Sequence, residues 1–306
     1  MPDSTGLTLP LHLVSLGECL VEFSRRDDGG FDARHAGDAF NVLFYAGRLG
    51  LRTGFVSAVG DDLFRPMIVD GIAREGIDLS HLLKLPGMRN GLYFIELDER
   101  GEYTFHFWRS GSAATRTLLH HDLTELAEYC AGADLFLFTG VTLAIMEGSD
   151  RLLELLMKLR GRTRIVFDTN YRPSLWNDPE LYRQRLAEIL PMIDILLPTE
   201  GDLLAIFPGH SIDDICARLG SARLDTIVMK GGAKGCAHWT GSGLHWHPPA
   251  EQVTVVDTTG AGDAFNAGFL TGHLRGLPLE QACELAQKTA RESLQVKGAI
   301  DVKFKV

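Results

Sequence analysis

Seven residues near the carboxyl end, Asp257-Thr258-Thr259-Gly260-Ala261-Gly262-Asp263, bring two glycines, two hydroxyls and two carboxylates just ahead of the helical spacing of Ala264 to Leu274. Gly260 and Gly262 let the backbone turn sharply into a helix and leave its first N–H groups pointing at whatever lies ahead. Those amides, with the positive end of the helix dipole, would stabilise charge on a phosphoryl group in transfer, and Asp263 could take the proton of an attacking hydroxyl. The plainer alternative is a helix cap, in which an aspartate satisfies two amides without catalysis. Context favours the chemistry, because the string follows a strand-like Val253 to Val256 and joins a rim of phosphate-compatible turns.

The elements that must position this string are read from hydrophobic spacing. Short apolar runs at Leu13 to Leu16, Gly54 to Val59, Leu135 to Phe138, Ile165 to Phe167, Ile193 to Leu197 and Thr226 to Met229 alternate with stretches of helical period. Helical spacing marks Ala39 to Leu49, Phe64 to Glu75, Arg151 to Leu159 and Leu181 to Leu190. The alternation predicts an α/β fold, a mainly parallel sheet covered by helices on both faces. No linker, repeat or low-complexity segment divides residues 1–306, so they are read as one domain. Ligands of such sheets bind beyond the carboxyl ends of the strands. There stand Thr139-Gly140, Asp168 to Arg172, Thr199 to Asp202 and Lys230 to Gly235. One segment breaks the pattern: Asn90 to Arg109 reads as a β-hairpin about Asp98-Glu99-Arg100-Gly101. Its six large aromatic side chains require one face to pack, on the rest of a sheet, on a ligand or on a second subunit.

Composition narrows the partners. Thirty Lys and Arg against forty Asp and Glu give a net charge of −10, and without a basic run there is no footprint for nucleic acid. Cys19, Cys130, Cys216, Cys236 and Cys283 are scattered and odd in number, which argues against a disulfide framework and suits a reducing cytoplasm. Met1 to Leu16 lacks the flank and cleavage pattern of a signal peptide, and no apolar run approaches the roughly 20 residues of a membrane span. A soluble, cytoplasmic protein is expected.

The string DTTGAGDAFNAGF at 257 to 269 resembles the carboxyl-terminal signature of the PfkB, or ribokinase-like, carbohydrate kinases. Ala36-Gly37-Asp38-Ala39-Phe40-Asn41 resembles that family's Gly-Gly-x-x-x-Asn sugar turn, with Ala36 in place of the first glycine. Order, spacing and length agree from about residue 12 to residue 301. GLYFIELDERGEYTFHFWRSGSAA at 91 to 114 and FDTNYRPSLW at 167 to 176 resemble the branch of the family that acts on 2-keto-3-deoxygluconate. The resemblance implies a Rossmann-like core with a small β-sheet lid, whose strands come from about 18–38 and 88–112. It implies ATP-dependent phosphorylation of the 6-hydroxyl of that keto acid.

It also implies roles. Asp263 is the base, and Gly260, Ala261 and Gly262 form the anion hole. Gly37, Asn41, Tyr93, Phe107, Arg109, Asn170 and Arg172 contact the substrate, whose carboxylate calls for arginine in fork geometry. The alternative for Arg109 and Arg172 is a salt bridge, and for Tyr93 and Phe107 core packing; Phe107 stands where relatives often carry Tyr. Lys230, Gly231, Gly232, Ala233, Lys234, Gly235 and Cys236 would turn over the ATP phosphates, with Gln287 near the adenine; ordinary surface charge is the alternative for Lys230 and Lys234. Mg²⁺ would be met through water by Thr199 and Asp202, which depart from the family's Asn-x-x-Glu. Asp257 and Thr259 match a K⁺ loop of some relatives, or form a structural turn.

His245 and His247 share a strand face at ligand spacing, but the sequence offers no third ligand and no zinc is assigned. Asp27 to Gly30 reads as a turn between lid strands. A homo-oligomer through the lid is expected. Rivals are a kinase of the same fold for a neutral sugar such as fructose or for a nucleoside, and a catalytically silent sugar-acid sensor.

Overall fold

The apolar runs become strands of one large sheet because each is buried on both faces, as a central parallel strand must be. The structure is a computed structural model; it describes residues 11–26, 28–97, 103–176, 178–221, 224–249, 253–300 and 303–304. In chain order the strands are β1 (Leu13–Leu16), β2 (Leu20–Arg25), β3 (Phe31–Ala36), β4 (Thr53–Val59), β5 (Leu82–Lys84), β6 (Leu92–Leu97) and β7 (Tyr103–Trp108). They continue with β8 (Leu135–Thr139), β9 (Arg164–Asp168), β10 (Ile195–Leu196), β11 (Thr226–Lys230), β12 (Cys236–Trp239) and β13 (Leu244–His247).

The nine-stranded sheet runs β13-β12-β11-β10-β9-β8-β1-β4-β5, parallel from β11 to β5 with β12 and β13 antiparallel at one edge. Alternation along β8 splits the core between the two faces. Phe136 and Phe138 pack against helices Leu123–Ala131, Ser149–Leu159 and Pro179–Ile189, while Leu135 and Leu137 pack against Asp38–Arg48, Ala261–Leu274 and Leu279–Ser293.

A second sheet of four strands runs β3-β2-β6-β7, with β2 and β6 parallel and both flanks antiparallel. Its strands fall inside the stretches 18–38 and 88–112, and the expected hairpin is β6–β7, with Tyr93 opposite Phe107. The turn at Asp98 to Gly101 lies outside the described residues, as does Asp27 of the β2–β3 turn. β1 enters this sheet through Gly17 to Cys19, and β3 leaves it through Gly37 into helix Asp38–Arg48, so both sheets meet on the rim that the motifs occupy.

One expectation is corrected. Val253 to Val256 is not a strand. The Val256 N–H donates to the Leu294 carbonyl at 2.8 Å, at the end of the last helix, so it joins no ladder, and Val255 and Val256 expose their side chains.

Candidate active site

Helix Ala261–Leu274 starts from Gly260, whose φ of 76° lies in the left-handed region. A side chain there would be strained, and its Cβ would sit 2.4 Å from the Ala299 carbonyl oxygen. No side chain caps this helix. The capping alternative therefore fails: Asp263 lies inside the first turn, and its Oδ2 accepts a hydrogen bond of 2.7 Å from Asn41 Nδ2 instead. Among the described residues no neighbouring atom stands within 4 Å of where a Gly262 Cβ would be, so the helix faces open space at that position. Asn41 Oδ1 accepts from the Gly37 N–H at 3.3 Å, and a Cβ on Gly37 would lie 2.1 Å from the Glu18 carbonyl oxygen. The two motifs, 222 residues apart from Asn41 to Asp263, thus form one clasp.

Around the clasp stand two more carboxylates. Asp38 accepts from Thr139 Oγ1 at 2.6 Å, from the Ala39 N–H at 2.8 Å and from Asn170 Nδ2 at 2.9 Å. Asp168 ends β9 and accepts from Lys230 Nζ at 2.9 Å, Asn266 Nδ2 at 2.6 Å and the N–H of Asn170 at 3.2 Å. Asn170 carries a positive φ of 29°, which asparagine tolerates better than most residues. Burial pushes the Asp263 carboxyl well above the usual carboxylate range, and Asp38 and Asp168 add to that; Asn41 and Lys230 pull the other way. Burial also raises Asp38. A carboxylate with raised proton affinity in the first turn of a helix that it does not cap is equipped to take a proton from a hydroxyl and leave the amides to meet an anion.

Asp38, Asp168 and Asn266 were not among the sequence candidates, although each carried a signal. Asp38 sits inside the Gly37–Asn41 turn, Asp168 closes a strand at its carboxyl end, and Asn266 follows Asp263 by three residues on the same helix. Glu18 had none. It faces Arg109, whose Nη1 lies 2.5 Å from Glu18 Oε1, with side chains 11% and 3% exposed. The salt-bridge alternative therefore holds for Arg109, which also lies 3.8 Å over the Phe107 ring. Burial pushes Glu18 up to about 7 despite the arginine. Glu18 Oε2 and Arg109 Nε are buried without a partner among the described residues. Arg172 is the opposite case: it is exposed, and its guanidinium makes no hydrogen bond or ion pair among the described residues. Tyr93 is buried in a small cluster with Leu20, Ala36, Ile95 and Ala299, and its hydroxyl donates to Glu22. Phe107, 5.1 Å from Tyr93 between ring centres, is 46% exposed and so is not core.

On the other side of the rim, Lys230 is not a surface charge, since its ammonium is buried between Asp168 and Asn266. Gly231, Gly232, Ala233, Lys234 and Gly235 form a tight turn with positive φ at Gly232 and Gly235. Lys234 Nζ meets both oxygens of Glu200 at 2.7 and 2.8 Å. Gln287 Nε2 lies 3.5 Å from Cys236 Sγ, which brings those two candidates together. Thr199 caps helix Glu200–Ile206 by accepting from the Asp202 N–H, and Asp202 accepts from Thr169. The Asp257 oxygens accept from the N–H groups of Thr259 and Gly298, both at 2.9 Å, which is the arrangement of a structural turn. His245 and His247 are not isolated on their strand, because His238 and Cys283 lie beside them.

The family model of the pfkB carbohydrate kinases matches residues 11–304. The chain belongs to the pfkB family. This pfkB kinase is 34% identical over 298 residues to the 2-dehydro-3-deoxygluconokinase of Haemophilus influenzae, covering 94% of this chain and 95% of that one. It is 30% identical over 291 residues to the fructokinase of Klebsiella pneumoniae, covering 93% and 94%. In fold it matches a putative ribokinase II of Escherichia coli solved with ATP and Mg²⁺, with a TM-score of 0.85 at 22% identity over 96% of each chain. Among the described residues no helix is long and apolar enough to cross a membrane.

Proposed function

We propose that this pfkB kinase transfers the γ-phosphoryl group of ATP to the 6-hydroxyl of 2-keto-3-deoxygluconate, giving the 6-phosphate. The observation that carries the substrate is the likeness to 2-dehydro-3-deoxygluconokinases along nearly the whole chain. Asp263 takes the hydroxyl proton and Asn41 fixes the carboxylate that does so. The amides of Gly260, Ala261 and Gly262 receive the charge of the phosphoryl group. The keto acid lies under the four-stranded sheet as a lid, against Gly37, Asn170, Tyr93 and Phe107. Its carboxylate meets Arg172, whose guanidinium is uncommitted. The Glu18–Arg109 pair has one acceptor and one donor to spare, which suits a sugar hydroxyl that both donates and accepts.

ATP lies along the Gly231–Gly235 turn toward Cys236 and Gln287, with Lys234 exchanging Glu200 for phosphate oxygens. Lys230, held by Asp168, contributes its charge from beneath. Mg²⁺ would be held at the rim through water by Thr199 and Asp202, with the Glu200 carboxylate between them in sequence, and would supply charge neutralisation on the phosphates. Location in the cytoplasm belongs to this reading.

Fructokinase relatives support a second reading, a neutral sugar as acceptor. A coupled ADP-release assay across 2-keto-3-deoxygluconate, fructose, ribose and adenosine separates them. The keto acid is expected to give the highest kcat/KM, and a higher value for fructose overturns the assignment. The exposed Phe31, Phe105 and Trp108 of the lid propose a homo-oligomer through that sheet. Light scattering that finds only monomer at working concentration removes it.

A further inference from the structure

Strand alternation gives the β12–β13 edge a ligand-bearing face. Cys236 and His238 share one side of β12, and their register partners His247 and His245 share it on β13. Helix Leu279–Ser293 packs over that face, where the free thiol Cys283 shares a buried cluster with Cys236 and Gln287, one turn on, reaches the Cys236 sulfur. The result is a cluster in which ligand atoms of His238, His247 and Cys283 all lie within 4.8 Å of one another. His238 and Cys283 are buried, while His247 is half-buried and opens the cluster to solvent.

We propose that His238, His247 and Cys283 bind one transition-metal ion of the Zn²⁺ class, which straps the β12–β13 hairpin to the last helix. Two imidazoles and a thiol are the donor set of a borderline-soft cation; the hard ions Mg²⁺ and Ca²⁺ prefer oxygen. Geometry allows it. Zinc bonds of about 2.0–2.3 Å place tetrahedral ligand atoms about 3.3–3.6 Å apart, so the widest separation closes by about 1 Å. His238 Nδ1 and His247 Nε2 lie 2.7 Å apart, so one of them already presents a bare lone pair to the other. On binding, that hydrogen bond breaks, and the imidazole that donated it carries its proton on its other ring nitrogen. Cys283 releases one proton to solvent as its sulfur bonds the metal. The fourth position falls to Cys236 or to water. None of the three ligands belongs to the Asn41–Asp263 clasp, but Cys236 and Gln287 border the proposed ATP site, so the titrations are run without nucleotide.

The test uses the full chain, stripped with chelator and titrated with Zn²⁺ by calorimetry and with Co²⁺ by absorption. One ion per chain is expected, with a thiolate-to-cobalt charge-transfer band, tetrahedral d–d bands and a raised Tm on saturation with Zn²⁺. His247→Ala, at the half-buried position, is expected to fold as the parent does and to weaken Zn²⁺ binding by more than about 100-fold, beyond what loss of an outer partner costs. Cys283→Ser should abolish the charge-transfer band, and Cys236→Ser should keep it. Unchanged Zn²⁺ affinity in His247→Ala, a cobalt complex without a thiolate band, or no saturable binding overturns the proposal. Should Cys283→Ser fail to fold, the His247→Ala titration alone decides.

Discussion

The floor and the roof of the site are built on opposite principles. In the floor, Asn41 holds Asp263, Lys230 and Asn266 hold Asp168, and Asn170 joins Asp38 to Asp168, all by hydrogen bonds and most of them across long stretches of chain. In the roof, Glu18 Oε2 and Arg109 Nε are buried without partners among the described residues, and Phe107 and Trp108 are exposed; beyond the end of β9, the Arg172 guanidinium makes no hydrogen bond or ion pair among the described residues. A finished network fixes the reacting groups before anything binds, which is what a base and an anion hole require. An unfinished one gains its missing hydrogen bonds only when a ligand supplies them, so it selects ligands rather than performing chemistry. Damage to the floor should therefore appear in kcat, and damage to the roof in KM.

The largest effect is expected from Asp263→Asn. The amide keeps the shape and the contact with Asn41 but cannot take a proton, so kcat should fall by at least about 10²-fold with the fold intact by circular dichroism. A near-normal kcat would falsify the base assignment. In the parent enzyme the raised proton affinity of Asp263 gives the sign of the pH dependence: the base is disabled by protonation, so kcat falls as pH drops through its elevated value. Next is Arg172→Ala. Loss of a charge-assisted bond worth about 1.5–3 kcal/mol should raise KM for the keto acid by about 10–100-fold and spare kcat. A KM that does not move, or a kcat that falls as far, would remove Arg172 as the contact to the substrate carboxylate.

How much of this could be read from the sequence follows the same division. The floor was legible where its signals are local: glycines ahead of a helix, an aspartate three residues on, and an asparagine four residues after Gly37. The strands were legible because central parallel strands are continuous apolar runs, whereas Val253 to Val256 misled because β-branched composition does not reveal whether a ladder partner exists. Side-chain partnership over distance was not legible. Glu18 and Arg109 are 91 residues apart, and no spacing rule couples them. The sequence offers Lys230 as a contact to the ATP phosphates, or as surface charge, and shows neither of its partners; Asp168, 62 residues away, turns it inward. The cluster around His247 was hidden for the same reason, since Cys283 comes from a helix 36 positions further along the chain.

The last prediction concerns Glu18→Gln, and it tests the roof without a ligand. Burial raises the Glu18 carboxyl from 4.5 to about 7, so over that range the native chain holds a proton that the unfolded chain has released. The stabilisation from this group is complete below the unfolded value and is lost as pH rises through about 7, a total of about 3 kcal/mol. Wild-type stability should fall across that window, and the glutamine variant, which does not titrate there, should show a flatter profile in denaturant midpoint against pH. Whatever constant penalty the variant suffers from leaving Arg109 buried without its counter-charge cancels in the slope. Parallel profiles would mean that Glu18 titrates in the folded chain as it does in the unfolded one, so that the ion pair with Arg109 offsets its burial in full.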